Sequence, residues 1–161
     1  MDVQRDPTVA LVFELEGHRY GVDTAHVQEI VRAVLPVRLP RAPAVIAGVI
    51  NLRGEVLPLL DMRMRFGLPA RPLRADEVFL IVRTATRSLA LRADHATELV
   101  RVPADSLTAM RETAARSEFA LGTVRLPDGL LVICDIDSFL DEAELLTLHT
   151  ALRERVEAAA P

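Results

Sequence analysis

Side chains that could bind a metal or act as a nucleophile are scattered along this chain. The four histidines are His18, His26, His95 and His149. No two of them are three or four residues apart, and none lies within five residues of the single Cys134, so the spacing does not support a metal site of His and Cys. Asp135 and Asp137 form a D-x-D pair that would suit a cation, although a strand end followed by a helix start explains both residues more simply.

Other signatures of catalysis are missing from the sequence. Neither Gly48 nor Gly54 is followed by the Gly-Lys-Ser/Thr of a phosphate-binding loop, and the serines lack the context of a nucleophile elbow. Aromatic residues make up 4% of the chain and the net charge is -4, which disfavours nucleic-acid binding. Cys134 lies in an apolar run and is expected to be a buried hydrophobe. These observations favour a protein-binding module, with no cofactor and no metal, over an enzyme.

The most informative stretch is residues 45–61, VIAGVINLRGEVLPLLD. Two short apolar runs flank Arg53-Gly54, so the pattern predicts two strands that meet at a tight turn. A charge between two buried segments is unusual, because charged side chains are seldom buried unless they are paired. Arg53 is therefore expected either to point into water at a hairpin tip or to be held by a carboxylate or by carbonyl groups.

The elements that would position these residues are mostly short strands. Frequent turn signals indicate an all-β barrel or sandwich. Hairpin turns are predicted at Glu16-Gly17 and at Pro127-Asp128-Gly129. A short helix is expected near residues 24–30, and the polar, proline-bearing segment 69–76 is the best candidate for a boundary.

The last part of the chain, residues 141–159, changes to helical spacing. The apolar positions with this spacing are Leu145, Leu148, Leu152 and Val156. Asp141 with Glu144 resembles a capping box, which is typical of a helix start. The pattern predicts a C-terminal α-helix that packs back onto the strands through one apolar stripe.

No apolar run approaches the roughly 20 residues that cross a bilayer. The first residues, MDVQRDPTVALVF, do not contain the apolar core of a signal peptide. We therefore expect a cytoplasmic protein without direct membrane insertion.

Residues 9–68 resemble CheW-like domains, the adaptor proteins of bacterial chemotaxis. The family pattern is roughly G-V-x-N-L-R-G-x-x-x-P-[IVL]-[IVL]-D-L. It is met from Gly48 to Asp61, with Met62 in place of the last Leu. A second segment, VFELEGHRYGVDTAHVQEI, is similar to the family's opening hairpin and the helix that follows it.

The second half of the chain is less similar to the family. Asp94 stands where the family has its Asp, but Ala90 replaces the usual Gly. His95 and Ala96 replace a small residue and a larger aliphatic one. The final strand and the acidic start of the last helix fit the family's ending. The resemblance therefore covers nearly the whole chain and is weakest at residues 85–100.

The resemblance implies an all-β fold of two SH3-like five-stranded β-barrels that pack together around a shared hydrophobic interior. Within a single domain of residues 1–161, we expect the barrels at approximately residues 15–70 and 76–125. The N-terminal strand and residues 126–140 would be exchanged between the barrels or complete them. The C-terminal helix would follow at 141–159.

The resemblance also implies a non-catalytic adaptor in a bacterial chemosensory pathway. Such adaptors couple methyl-accepting chemoreceptors to a CheA-type histidine kinase, binding the cytoplasmic tip of the receptor and the regulatory domain of the kinase. The expected location is the cytoplasm, at membrane receptor arrays and held there by protein contacts.

In the family the Arg of the motif commonly pairs with the Glu of the early helix, which here implies a pair between Arg53 and Glu29. A partly buried Arg matches a carboxylate bidentately, and such a pair would fix the early helix against the turn at 51–54. The resemblance implies a receptor-facing groove lined by Val27, Glu29, Ile30, Gly48, Asn51, Arg53 and Leu99. Core packing is the alternative for Val27 and Ile30, and a backbone requirement is the alternative for Gly48.

For the kinase contact the resemblance suggests Val56, Leu57 and Leu59, although strand alternation predicts that some of these point into the core. The departures at Ala90, His95 and Ala96 leave open an accessory CheW-like protein that binds receptors, or another pathway component, without coupling to the kinase. The regulatory domain of a histidine kinase and an enzyme are further alternatives.

Overall fold

The computed structural model of this protein describes residues 8–103 and 119–159. Within these residues the chain forms ten strands and two α-helices. The strands are β1 Thr8–Leu15, β2 His18–Asp23, β3 Val27–Arg32, β4 Ile46–Leu52, β5 Glu55–Leu60, β6 Val78–Arg83, β7 Ser88–Ala93, β8 His95–Val102, β9 Ala120–Leu126 and β10 Gly129–Cys134. The helices are α1 Met62–Arg65 and α2 Glu142–Ala159.

The described strands form two five-stranded sheets. The first sheet has the order β8-β1-β2-β10-β9, and the second has the order β3-β6-β7-β5-β4. Neighbouring strands are antiparallel except for β2 with β10 and β5 with β7. Within residues 8–103 and 119–159 no ladder joins the two edge strands of either sheet, so hydrogen bonds do not close the barrels. The all-β prediction with a C-terminal helix is confirmed.

The sheets divide the chain differently from the expected barrels at 15–70 and 76–125. The second sheet takes β3 to β7, and the first sheet combines β1 and β2 with β8 to β10. The segment 69–76, expected as a boundary, therefore connects two strands of one sheet. The chain passes from the second sheet to the first between β7 and β8, at Asp94.

The largest core cluster contains residues of both sheets and of α2. Phe13 of the first sheet, Leu60 and Leu80 of the second, and Leu148 of α2 are all fully buried in it. Burial of a large apolar side chain contributes roughly 1.5–3 kcal/mol. The shared cluster therefore holds the two sheets and α2 together.

The turns predicted at Glu16-Gly17 and at Arg53-Gly54 are confirmed. Glu16 and Gly17 have φ of 51° and 76°, and Arg53 and Gly54 have φ of 50° and 90°. Two consecutive positive φ angles are typical of the type I′ turn, whose twist matches that of the paired strands. The turn places the Arg53 side chain at the tip of the β4–β5 hairpin.

The helix expected near residues 24–30 is wrong over most of its length. Asp23 caps only a single 3-10 turn, Thr24–His26, through a hydrogen bond from the Ala25 N–H at 2.9 Å. The chain then forms β3, which pairs with β6 and bulges between Val27 and Glu29. The β-branched residues of this segment fit a strand better than a helix, and β6 offers a ladder for pairing.

Helix α2 begins with the predicted capping box. The Glu144 N–H donates to Asp141 Oδ1 at 2.7 Å, and the Asp141 N–H donates to Glu144 Oε1 at 3.1 Å. Leu148 and Ala151 are buried, and Leu145 and Leu152 pack against the core. Val156, expected in the same stripe, is instead 71% exposed. Its angular position explains this, because at 100° per residue it lies 80° from Leu148 and outside the buried arc.

Candidate protein-binding site

Arg53 at the tip of the β4–β5 hairpin contacts Glu29 of β3. The Arg53 Nη2 donates to Glu29 Oε2 at 2.5 Å. Asn51 Oδ1 accepts the Gly54 N–H at 2.8 Å, which fixes the turn that carries Arg53. β3 and β4 are the two edges of the second sheet, so this ion pair connects edges that the backbone ladder leaves open. The predicted pairing of Arg53 with Glu29 is confirmed.

The pair is more exposed and less extensive than the sequence predicted. The Arg53 side chain is 70% exposed, the Glu29 side chain is 31% exposed, and one guanidinium nitrogen makes the contact. The hydrogen bond to Glu29, followed by its charge, raises the pKa of Arg53. Exposed ion pairs contribute little to stability. The pair therefore presents an oriented cation at the surface rather than a buried bidentate clamp.

The other residues expected to line a receptor-facing groove are spread over several environments. Ile30 of β3 is 44% exposed, whereas Val27 packs against the core. Asn51 is exposed beside Arg53, and its side chain is occupied by the turn. Leu99 is 65% exposed on β8, an edge strand of the first sheet. Ile30, Asn51 and Leu99 are therefore accessible, and Val27 has the core role that was its alternative.

Gly48 is buried beneath another backbone segment. A Cβ atom at this position would lie 2.5 Å from the Val37 carbonyl oxygen, and Gly48 has φ of 156°. Val37 and Val49 exchange two backbone hydrogen bonds at 2.9 and 2.8 Å, which holds the segment against β4. The backbone requirement therefore explains Gly48, and the residue does not present a surface for binding.

Two of the three residues expected at a kinase contact belong to the core. Leu57 and Leu59 are 1% exposed and lie in a cluster with Phe79 and Ile81 of β6. Val56 is 45% exposed. The expectation of Leu57 and Leu59 in the kinase contact is therefore corrected, because both side chains pack into this cluster on one face of the second sheet.

An exposed apolar segment between β3 and β4 was not predicted from the sequence. Val34, Leu35 and Val37 are 50%, 86% and 54% exposed. The prolines of this segment exclude a long helix, and an extended apolar segment without a helix to bury it is the signal that could have found the surface. We call Val34, Leu35 and Val37 the apolar connector.

A partly buried group of charged side chains was also missed. Its members are Glu16, Asp61, Arg63, Arg71, Glu77, Arg92 and Asp94, which we call the inter-sheet ion network. Arg63 is 1% exposed, donates to Asp94 at 2.9 and 3.0 Å, and contacts Glu16. Arg92 donates to Glu77 at 2.6 and 3.1 Å. Most of the paired residues are 15 or more positions apart in the sequence, so no local sequence pattern predicts the pairs.

The structure gives no chemical function to the remaining candidates. Asp135 accepts the Asp137 N–H at 3.2 Å as the cap of a 3-10 turn, as predicted. Cys134 is buried, and burial raises the pKa of its thiol. Within the described residues no three His, Cys, Asp or Glu side chains come together as metal ligands. None of the helices in this part of the chain is long and apolar enough to cross a membrane.

The sequence of this chain is similar to those of known proteins. The family model of the CheW-like domain matches residues 9–144. The chemotaxis protein CheW of Helicobacter pylori is 29% identical over 129 residues, which cover 80% of this chain and 78% of that protein. Protein FrzA of Myxococcus xanthus is 36% identical over 115 residues, which cover 70% of this chain and 71% of FrzA.

The fold of this chain is also similar to that of a solved structure. The crystal structure of the scaffolding protein TtCheW from Thermoanaerobacter tengcongensis superposes with a TM-score of 0.75 at 25% identity, covering 89% of this chain and 94% of that one. The family match covers both sheets and the start of α2. This chain therefore belongs to the CheW-like domain family, the adaptors of bacterial chemosensory signalling.

Proposed function

We propose that this protein couples the cytoplasmic tip of methyl-accepting chemoreceptors to the regulatory domain of a CheA-type histidine kinase, without catalysis of its own. The coupling would take place in the cytoplasm, at membrane receptor arrays that the protein joins through protein contacts. The observation that carries the proposal is the Arg53–Glu29 pair at the exposed tip of the β4–β5 hairpin, within the segment that matches the family.

The receptor contact is proposed around this pair. The exposed side chains available there are Ile30 on β3, Asn51 beside the turn and Arg53 itself. A receptor tip is helical, so we propose that an apolar ridge of that helix contacts Ile30 while a polar group meets the Arg53 guanidinium. Leu99 on β8 would belong to the same surface if the receptor helices reach the first sheet.

The kinase contact is proposed on a surface that adjoins the receptor contact. Val56 and the apolar connector are exposed, while Leu57 and Leu59 are buried. Val37 lies against β4, and Val56 on β5 pairs with Asn51 of β4. Exposed apolar side chains along one end of a sheet are typical of a protein interface. We therefore assign Val56, Val34 and Leu35 to the contact with the kinase.

The experiment that tests this function is co-sedimentation with receptor-bearing membranes and the histidine kinase, followed by an assay of kinase activity. We expect the wild-type protein to bring the kinase to the membranes and to make its activity depend on the receptor. Arg53→Ala should weaken recruitment to the receptor, and Leu35→Asp should weaken recruitment of the kinase. Arg125→Ala, a change at an exposed arginine of β9, is the matched control.

Binding to receptors without recruitment of the kinase would instead establish the accessory protein. The structure gives that alternative no added support at Ala90, since this residue is fully buried between strands of the second sheet. His95 is exposed on β8, and its replacement by Ala in the same assay tests whether that departure from the family affects coupling.

A further inference from the structure

Two exposed apolar residues, Ile30 and Leu99, occupy corresponding positions in the two sheets. Ile30 of β3 is paired with Leu80 of β6, and Leu99 of β8 is paired with Leu11 of β1. Residues that are directly paired in antiparallel strands point to the same face of their sheet. Leu80 and Leu11 both belong to the core cluster that the two sheets share. Ile30 and Leu99 therefore extend from the faces that the sheets turn towards each other.

The edge strands that carry these two residues lie on the same side of the molecule. β3 is an edge strand of the second sheet, and β8 is an edge strand of the first. The 3-10 turn Thr24–His26 leads from β2 into β3 and packs against β1, the strand between β2 and β8. The chain therefore crosses over β1 towards β8 before β3 begins. A helix placed along this side can contact Ile30 of one sheet and Leu99 of the other.

The position of Leu99 relative to Ile30 depends on the angle at which the two sheets meet. Backbone ladders fix each residue within its own sheet, but in residues 8–103 and 119–159 no ladder joins one sheet to the other. The core cluster between the sheets is apolar, and burial of apolar surface has no preferred direction. Directional contacts between the sheets therefore come from polar groups.

Arg63 and Arg71, between β5 and β6 of the second sheet, supply such contacts. Arg63 donates to Asp94 at 2.9 and 3.0 Å and also contacts Glu16. The Arg71 Nη2 lies 2.7 Å from Asp94 Oδ1, and its Nη1 lies 3.6 Å from Glu16 Oε1. Glu16 is in the β1–β2 turn, and Asp94 directly precedes β8. The two arginines therefore hold the first hairpin and the start of β8 against the second sheet.

We propose that Arg63 and Arg71 are positioning residues for receptor binding, although neither contacts the receptor. By fixing the angle between the sheets, they keep Leu99 and Ile30 on one surface that a receptor helix contacts. Leu99 lies five residues after Asp94, which is about 16 Å along a strand, so a small change of this angle at Asp94 displaces Leu99 appreciably. The inference rests on the proposed function, because it takes the receptor as the partner of this surface.

Co-sedimentation with receptor-bearing membranes over a series of protein concentrations tests the inference. Leu99→Ala should weaken receptor binding about fivefold, as expected of an important interface residue. Arg71→Met should weaken it by a similar factor, because it displaces Leu99. In the Arg71→Met background, Leu99→Ala should then cost less than about a further twofold, since the two changes remove the same contact. Arg53→Ala should keep its full effect in that background, because the hairpin tip and its partner both belong to the second sheet.

A distance measurement shows whether the angle between the sheets changes. Spin labels on Glu55→Cys of β5 and Arg101→Cys of β8 report on one exposed position in each sheet, while Cys134 is buried. Double electron–electron resonance should give a shifted or broader distance distribution in Arg71→Met. The control Arg125→Met, at an exposed arginine of β9, should keep the wild-type distribution. Arg71→Lys keeps a cation and should recover most of the receptor binding.

The possible results separate this inference from the proposed function. A wild-type chain that does not sediment with receptor-bearing membranes overturns the proposed function. If the wild type binds, normal binding by Leu99→Ala or by Arg71→Met overturns the inference alone, as does a full effect of Leu99→Ala in the Arg71→Met background or an unchanged label distance. Melting temperatures show whether each variant is folded. Asp94→Asn, which removes a charge and keeps the side-chain shape, gives the same test if Arg71→Met does not fold.

Discussion

Arg63 of α1 donates from one guanidinium nitrogen to both carboxylate oxygens of Asp94, at 2.9 and 3.0 Å, while being 1% exposed. Asp94 is the residue at which the chain passes from the second sheet to the first, and it also accepts the Glu16 N–H at 2.9 Å. One arginine therefore ties α1, which lies between β5 and β6 of the second sheet, to the first hairpin of the other sheet. The inter-sheet ion network fixes how the two sheets meet.

Replacement of Arg63 tests how much this network contributes to the free energy of unfolding. Arg63→Met keeps an apolar stem but leaves Asp94 and Glu16 with fewer cationic partners, and we expect the free energy of unfolding to fall by about 3–5 kcal/mol. Urea denaturation followed by circular dichroism measures the change. Arg125→Met, at an exposed arginine, is the control and should have almost no effect. Equal losses in the two variants would contradict the prediction.

Stability should also fall in acid because of the same carboxyl groups. The hydrogen bond from Arg63 lowers the pKa of Glu16. Burial raises the pKa of Asp94, but hydrogen bonds from the Glu16 N–H and Arg63, with the charges of Arg63 and Arg71, outweigh burial and lower it overall. The unfolded state therefore binds more protons, and the stabilisation present above about pH 4 is lost as the pH falls through the lower, folded values.

The measurement is the free energy of unfolding from urea titrations between neutral pH and pH values below 4. Asp94→Asn removes one of the two groups, so its free energy of unfolding should depend less steeply on pH than that of the wild type. Glu142→Gln, at an exposed carboxylate outside the network, should keep the wild-type slope. A wild-type slope in Asp94→Asn would show that this carboxyl group is not the source of the acid sensitivity.

Local signals in the sequence predicted the hairpins well. Glu16-Gly17 and Arg53-Gly54 each supply the positive φ angles that a two-residue turn needs, and this requirement depends on the residues themselves. The same applies to the capping box of α2. The helix predicted near residues 24–30 was wrong because the helical start at Asp23 extends for only one 3-10 turn. The residues that follow pair with β6, a strand far away along the chain that no local pattern identifies as the partner.

The site was predictable only where a charge had a partner suggested by the family. Arg53 and Glu29 were paired correctly, but the exposure of the pair follows from how the sheet brings its two edges together, which no local pattern shows. Leu57 and Leu59 were suggested for the kinase contact by the resemblance, with the core as the alternative for some of these residues, and both are buried in the core because a continuous apolar run does not reveal which residues are covered. Arg63 was missed since a single arginine in a polar helical turn normally faces water.

Replacement of Gly48 tests whether the close approach of the Val37 backbone to β4 requires a glycine at this position. Gly48→Ala would place a Cβ atom 2.5 Å from the Val37 carbonyl oxygen, so we expect a loss of about 2 kcal/mol or more in the free energy of unfolding. Gly54→Ala is the matched control, because Gly54 also has a positive φ but meets no atom within 4 Å. Chemical denaturation of both variants measures the difference. If Gly54→Ala costs as much as Gly48→Ala, strain in φ rather than the contact with Val37 is responsible.

Loss of the capping box of α2 should have a smaller effect on the free energy of unfolding. Asp141→Ala removes the acceptor of the Glu144 N–H and should lower the free energy of unfolding by about 1 kcal/mol. Asp141→Asn keeps an oxygen acceptor and should cost less. Thermal and urea denaturation of the two variants make the comparison. Equal losses would indicate that the charge at the helix start, and not the hydrogen bond, is the stabilising feature.

The Arg53–Glu29 pair should act on receptor binding as one unit. Arg53→Ala removes the oriented cation, and Glu29→Gln removes the charge that orients it, so each should weaken co-sedimentation with receptor-bearing membranes. The double variant should bind no more weakly than Arg53→Ala alone, because Glu29 would have no further role once the cation is lost. Urea denaturation should show unchanged stability, since the pair is exposed. Additive losses in binding would show that the two residues contact the receptor independently, and normal binding by Arg53→Ala would remove the hairpin tip from the receptor surface.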